Sequence, residues 1–177
     1  MAFSINTFRQ KGLAQGGARP NLFDVLITGV QAAAIPSNHH LLCKIASIPP
    51  STMGVVEVPY FGRMVKVPGN RTFDNISVTF LNDEDFGVRN AMEGWMNKQN
   101  SHNTNFSDQP GTLFGKMSIA QCGRDGTRII GGATWNFINI FPVALGEIAL
   151  DWGSNDTIEE YTVDFAYDFW EHTNTTT

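Results

Sequence analysis

Four groups of residues in this 177-residue chain have types that could do chemistry. Gly111-Thr112-Leu113-Phe114-Gly115-Lys116-Met117 has the outline of a loop whose backbone N–H groups cradle phosphates. Its glycine spacing is one residue short, and Met117 stands where a Ser or Thr would hold magnesium. His39, His40, His102 and His172 show neither the helical HxxxH spacing nor neighbouring carboxylates that would build a metal site. Asp83-Glu84-Asp85 could pair carboxylates for proton transfer or hold a divalent ion. Attraction of three acids to the positive end of a helix dipole accounts for them more simply. Cys43 and Cys122 lie far apart without a CxxC pair, and read as small core residues. Gly-x-Ser-x-Gly, the usual elbow for a nucleophilic serine, is absent. The reading is a non-enzyme without cofactor or metal.

The elements that would carry these residues are mostly strands. Residues 1–20 are rich in Gly, Gln, Ala and Arg and read as an arm that orders on a partner. Asn21–Thr28 predicts a first strand, and His40–Ile48 a second apolar stretch ended by Pro49-Pro50. Val55–Tyr60 and Arg63–Val67 around Phe61-Gly62 predict a hairpin. Thr72–Leu81 alternates, with Ile76, Val78 and Phe80 on one face. One helix is predicted over 83–98, capped by Asn82 and closed near Lys98, with Val88, Met92, Trp95 and Met96 facing a sheet. A polar loop over 99–110 follows, then a hairpin from Thr112–Gln121 and Thr127–Ile140 around a turn at 123–126. Ile158–Trp170 reads as one long strand, with Tyr161, Val163, Phe165, Tyr167 and Phe169 on one face and an acidic row on the other. Residues 172–177 form a polar tail, and the whole chain, 1–177, reads as a single domain.

Composition sets the class. With 42% hydrophobic and 16% charged residues the chain is globular, not disordered. The net charge of −5 argues against a protein that coats nucleic acid. That charge is unevenly spread: residues 1–71 carry +5, 72–128 carry −2, and 129–177 carry −8 with no Lys or Arg at all. Two readings follow: strands from both ends neutralise each other within the fold, or a basic and an acidic surface serve head-to-tail association between copies. The N-terminal residues show no apolar h-region, and no apolar run nears the roughly 18 residues of a membrane span. The expectation is a chain neither exported by such a signal nor embedded in a membrane.

Three strings resemble a known family. They are Ala18-Arg19-Pro20-Asn21-Leu22-Phe23-x-Val25, the block from Val67-Pro68-Gly69-Asn70-Arg71-Thr72-Phe73-Asp74 to Val78-Thr79 and Asn82-Asp83-Glu84, and Leu150-Asp151-Trp152-Gly153-Ser154-Asn155-Asp156-x-Ile158 with Asp168-Phe169-Trp170-Glu171. In this order they resemble the tail tube proteins of T4-like contractile-tailed bacteriophages, and the 29–40 and 99–111 loops depart from that pattern. The resemblance implies a mainly β subunit, a β-sandwich or barrel-like body with one flanking helix. Such subunits form hexameric rings with a continuous inner β-barrel, stacked head-to-tail into a hollow tube. The implied partners are further copies, the tail sheath protein, and baseplate and tail terminator proteins. Phage DNA passes through the lumen unbound, and no membrane is involved. The implied location is the virion tail tube, assembled in host cytoplasm. On this basis Arg19, Pro20, Asn21, Arg71, Asp74, Asp151 and Asn155 are expected at polar ties or subunit interfaces, and Thr79, Asp164 and Asp168 toward the lumen. The 99–111 loop is expected at an inter-ring contact. Two alternatives stay open: an inner-tube subunit of a type VI secretion or extracellular contractile injection system, and a monomeric β-barrel module that binds a small ligand.

Overall fold

The computed structural model describes residues 4–13, 17–29, 34–124, 126–127 and 133–173. Strands dominate: β1 Phe23–Gly29, β2 Cys43–Ala46, β3 Thr52–Tyr60, β4 Arg63–Thr72, β5 Ile76–Leu81, β6 Gly115–Gln121, β7 Thr134–Leu145, β8 Glu160–Ala166 and β9 Phe169–His172. The helices are α1 Ile5–Thr7, which runs into a π-helical turn at Phe8–Gly12, then α2 His39–Leu42 and α3 Gly87–Gln99. Seven strands make one antiparallel sheet in the order β1-β6-β7-β8-β5-β2, with β9 also on β7. β3 and β4 pair only with each other.

The sheet is folded over on itself at a corner in β7. The first half of β7 pairs with β6 and β9, and its last residues, from Phe141, pair with β8. At the junction Asn139 has φ 57, and the register with β6 slips there. This is a β-bulge carried by one of the few non-glycine residues that tolerate the left-handed region. The neighbouring strand breaks at the same level. Asp168 donates its backbone N–H to the Ile138 carbonyl at 3.1 Å, and its carboxylate accepts from Asn139 Nδ2 at 2.6 Å. Two adjacent strands thus bend together.

Bending brings the inward residues of both halves into one core. Val25 and Ile27 of β1, Met117 and Ile119 of β6, and Phe137 and Ile140 of β7 meet Val78 and Phe80 of β5 and Val163 and Phe165 of β8. Residues two apart along β1, β5, β6 and β8 fill it, as the pleat requires, and in β7 the bulge widens the step to three, from Phe137 to Ile140. Among the described residues no strand path closes into a barrel within one copy.

α3 seals one side of the core with Val88, Ala91, Met92 and Trp95, and Met96 is half-buried beside them. Trp95 Nε1 donates to the Leu113 carbonyl at 2.7 Å, and its ring lies so close to Gly115 that a Cβ there would sit 2.7 Å from it. The second glycine of the phosphate-loop look-alike is therefore a seat for an indole.

Several expected boundaries move. The helix starts at Gly87, not 83, and Asp83-Glu84-Asp85 lie ahead of it. Asn82 does not cap it. Its backbone N–H reaches the Glu159 carbonyl at 2.8 Å and its Nδ2 the Glu159 carboxylate at 2.9 Å, so the chain is held along β8 and cannot yet coil. His40–Ile48 divides into α2 and β2, and the strand expected from Thr72 begins at Ile76. The long strand over Ile158–Trp170 is β8 and β9, separated by the corner at Asp168. Thr112 belongs to a 3-10 turn, and β6 starts at Gly115. The expected arm is helical over Ile5–Gly12, and of the expected tail His172 ends β9. Residues 128–132 of the predicted second hairpin and 174–177 of the tail lie outside the described residues.

The corner yields a test. Replacing Asn139 by Val forces a β-branched residue into φ 57 and removes the tie to Asp168. We expect it to lower stability by about 2 kcal/mol. Asn139→Gly, which keeps the conformation, should cost about half that. Equal urea midpoints for the two variants would show that the left-handed backbone is not the constraint.

Candidate functional site

The described residues hold no cluster of three or more His, Cys, Asp or Glu that could bind a metal. What stands out is apolar surface. The β3–β4 hairpin turns through Phe61 (φ 43) and Gly62 (φ 78), the two positive values a type I′ turn requires. Glycine takes this conformation freely. Phe61 does not, and its ring is 92% exposed at the tip, 4.7 Å from that of Tyr60.

Register assigns the faces of the hairpin. Val56 lies opposite Val67 and Val58 opposite Val65, forming one β-branched face. Glu57 lies opposite Lys66, paired at 3.7 Å, and Pro59 lies opposite Met64 on the other. Every residue of β3 is exposed, Val56 and Val58 included. A two-stranded ribbon is marginal alone and usually needs a covered face. Arg63 and Arg71 on this hairpin have no ion-pair partner among the described residues.

A second exposed apolar region precedes β8. Within 147–160, Leu150, Trp152 and Ile158 stand out into solvent, and Trp152 is wholly exposed. The segment holds five acids and no basic residue. Asp151 organises it: its carboxylate accepts from the Gly153 N–H at 3.0 Å and faces the Ser154 hydroxyl at 3.5 Å. These residues border a shallow concavity of about 580 Å³ that Glu159 also lines.

The expected interface residues are all exposed: Arg19, Pro20 and Asn21 before β1, Arg71 on β4, Asp74 after it, and Asp151 and Asn155 on the acidic ledge. The structure does not bring them into one cluster: Arg19 offers its carbonyl to Gln121, and Asp151 serves its own turn. Of the lumen expectations, Thr79 and Asp164 share the outer face of the β5–β8 pair. The Thr79 and Thr162 hydroxyls are 3.1 Å apart, and Ser77 Oγ donates to Asp164 at 2.5 Å. Asp168 instead sits at the corner with Asn139.

Two features escaped the sequence reading. One is the exposure of Leu150, Trp152 and Ile158, for which the signal was three apolar residues with no helical or strand period in an acidic stretch. The other is His39. It is buried, its Nε2 accepts from the Ile27 N–H at 3.0 Å, and its Nδ1 donates to the Pro36 carbonyl at 2.8 Å. It satisfies an outward-facing donor of β1, and nothing in the sequence marks that pairing.

A family model described as phage tail tube protein matches residues 18–173. The tail tube protein of Enterobacteria phage T4 is 30% identical over 155 residues, 87% of this chain and 91% of that protein. The tail tube protein of Serratia phage KSP90 is 28% identical over 171 residues, 93% and 94% of the two chains. Among solved structures, the tube-terminating cap of the anti-feeding prophage is similar in fold, with a TM-score of 0.65 at 20% identity over 89% of this chain and 91% of that one. The sheath/tube terminator of an extracellular contractile injection system gives a TM-score of 0.63 at 18% identity over 88% and 96%.

The strongly displaced titrating groups serve the interior. Burial pushes the Tyr161 phenol up to about 12, against a smaller lowering from Arg89, whose guanidinium lies 5.3 Å from the ring centre, and a further rise from Glu93. Burial, with Asp24 adding to it, pushes the Cys43 thiol up to about 12. A thiol held protonated is a poor nucleophile. The Tyr161 hydroxyl also lacks a hydrogen-bond partner among the described residues. The folded protein keeps the Tyr161 proton from its unfolded value near 10 up to about 12, so stability falls as pH rises through that window. Tyr161→Phe should therefore be within about 1 kcal/mol of the parent at pH 7 and lose less stability between pH 10 and 12. Urea midpoints at pH 7 and 11 check this, and an unchanged alkaline slope would contradict it.

Proposed function

The chain belongs to the phage tail tube protein family, and from that membership we propose that it assembles into sixfold rings that stack head-to-tail as the tube of a contractile tail. The observation that carries this reading is the β3–β4 hairpin, whose β-branched face no other described element covers. A monomeric ligand-binding module would leave that face in water, where it invites aggregation. Association between copies covers it and joins open sheet edges into a closed ring, and cyclic symmetry keeps ring growth finite.

The role is structural, not enzymatic. The tube lies inside the sheath and ends at baseplate and terminator proteins, it is assembled in host cytoplasm, and DNA slides through its lumen. A wall of hydroxyls and carboxylates suits such passage, because phosphates bind basic surfaces with an affinity that grows with each charge neutralised. Thr79 and Asp164 on the β5–β8 outer face are the lumen residues of this reading, and Asp168, at the corner with Asn139, is proposed to reach the lumen separately. Arg19, Pro20, Asn21, Arg71, Asp74, Asp151 and Asn155 belong to contacts between copies, which their uniform exposure permits.

Replacing Val58 and Val65 by Asp should leave the circular dichroism spectrum unchanged and abolish tubes in negative-stain micrographs of protein that otherwise polymerises. Tubes of normal length would sink the reading of the hairpin. Asp164→Lys should leave tubes intact and slow DNA ejection from virions, and parental ejection rates would remove Asp164 from the lumen.

A further inference from the structure

The hairpin and the acidic ledge are two exposed apolar surfaces of opposite charge on the same chain. Residues 52–72 hold Glu57, Arg63, Lys66 and Arg71, a net of +2, and Lys66 faces Glu57 in its own hairpin. The charge left unanswered is that of Arg63 and Arg71, one at each end of the ribbon. Residues 147–160 carry −5. There Glu160 pairs with Lys44 and Glu159 accepts from Asn82, whereas Glu147 and Asp156 have no cation partner among the described residues.

Shape and apolarity match as well. β3 spans nine residues, a ribbon of about 30 Å at about 3.3 Å per residue. Its face of Val56, Val58, Val65 and Val67 is about half exposed along its whole length. Leu150 and Ile158 on the ledge are 82% and 70% exposed, beside a concavity of about 580 Å³. Within one copy neither surface covers the other, since both remain open. Two different patches that fit each other make a heterologous contact, which builds rings or stacks instead of closed dimers.

We propose that the β3–β4 hairpin of one copy docks on the 147–160 ledge of the next, its valine face against Leu150, Trp152 and Ile158, with Arg63 and Arg71 meeting the ledge acids. The inference rests on the tube reading and names the two surfaces that join. Apolar contact supplies the affinity, and the charges select register and exclude hairpin-on-hairpin or ledge-on-ledge pairing. The wholly exposed Trp152 is the residue of a type that most often anchors interfaces.

A charge swap tests the pairing. The double variant Arg63→Glu, Arg71→Glu and the double variant Glu147→Lys, Asp156→Lys should each reduce tube yield by about tenfold or more. The chain carrying all four changes should recover tubes. In parallel, Val65→Cys and Thr157→Cys are combined on a chain whose Cys43 and Cys122 are Ser. Oxidation of that chain should give a ladder of covalent multimers that neither single-cysteine chain gives. The ladder reads proximity even where a charge variant folds poorly. Tubes from the parent protein with neither rescue nor ladder would overturn the pairing and leave the tube reading standing. A parent protein that stays monomeric at about millimolar concentration, far above ordinary interface affinities, would overturn both.

Discussion

The rest of the structure depends on the corner where Asn139 and Asp168 meet. A flat sheet of seven strands has two faces and would need two covering layers. The bulge at Asn139 and the matching break at Asp168 bend β7 and the β8–β9 run together, so the sheet covers one of its own faces. Each half of the corner requires the other. A bulge in β7 alone would leave an unpaired stretch beside a straight neighbour, and a break between β8 and β9 alone would orphan the Asp168 N–H that now reaches the Ile138 carbonyl. The Asn139–Asp168 pair thereby lies where both halves of the sheet turn toward one core.

The folded sheet and α3 fill the interior without β3 and β4, which pair only with each other. Pro49-Pro50 on one side and residues 73–75 on the other carry the chain out of the sheet and back. The hairpin is left as a ribbon paired with itself along most of its length, with an irregularity between Met53 and Val55, and its side chains are almost all exposed. Phe61 in the left-handed region at its tip adds a cost that the ribbon itself does not need. Both features are costs to a solitary copy and fit a surface that finishes its packing elsewhere.

Alternation made β5 and β8 legible, because Ile76, Val78, Phe80, Tyr161, Val163 and Phe165 are all buried as period two demands. Phe61-Gly62 between apolar runs placed the hairpin turn where it occurs. What could not be read were decisions made across the fold. The helix start depends on Asn82 being held by Glu159, a partner 77 residues away, and the break in the long C-terminal run depends on Asn139. Gly115 looked like part of a phosphate loop because its real reason, the face of Trp95, is a contact between a helix and a strand. For the association surfaces the sequence showed the charge imbalance and the family strings, but the exposure of Trp152 emerges only when the core is seen to be full without it.

That imbalance takes a physical form in the fold. Of the eight acids after residue 128, Glu160, Asp164, Asp168 and Glu159 are engaged with Lys44, Ser77, Asn139 and Asn82. These engagements hold β8 to its neighbours. Of these partners only Lys44 is a cation, and Ser77, Asn139 and Asn82 are neutral donors. Asp151 holds its own turn, Glu147 and Asp156 remain around the apolar ledge, and Arg63 and Arg71 remain around an apolar ribbon. In the pairing we propose, like patches of two copies repel and a single copy leaves both of its own patches open. At higher local concentration the same arrangement favours ordered addition of copies in one orientation, since only hairpin against ledge brings opposite signs and both apolar faces together.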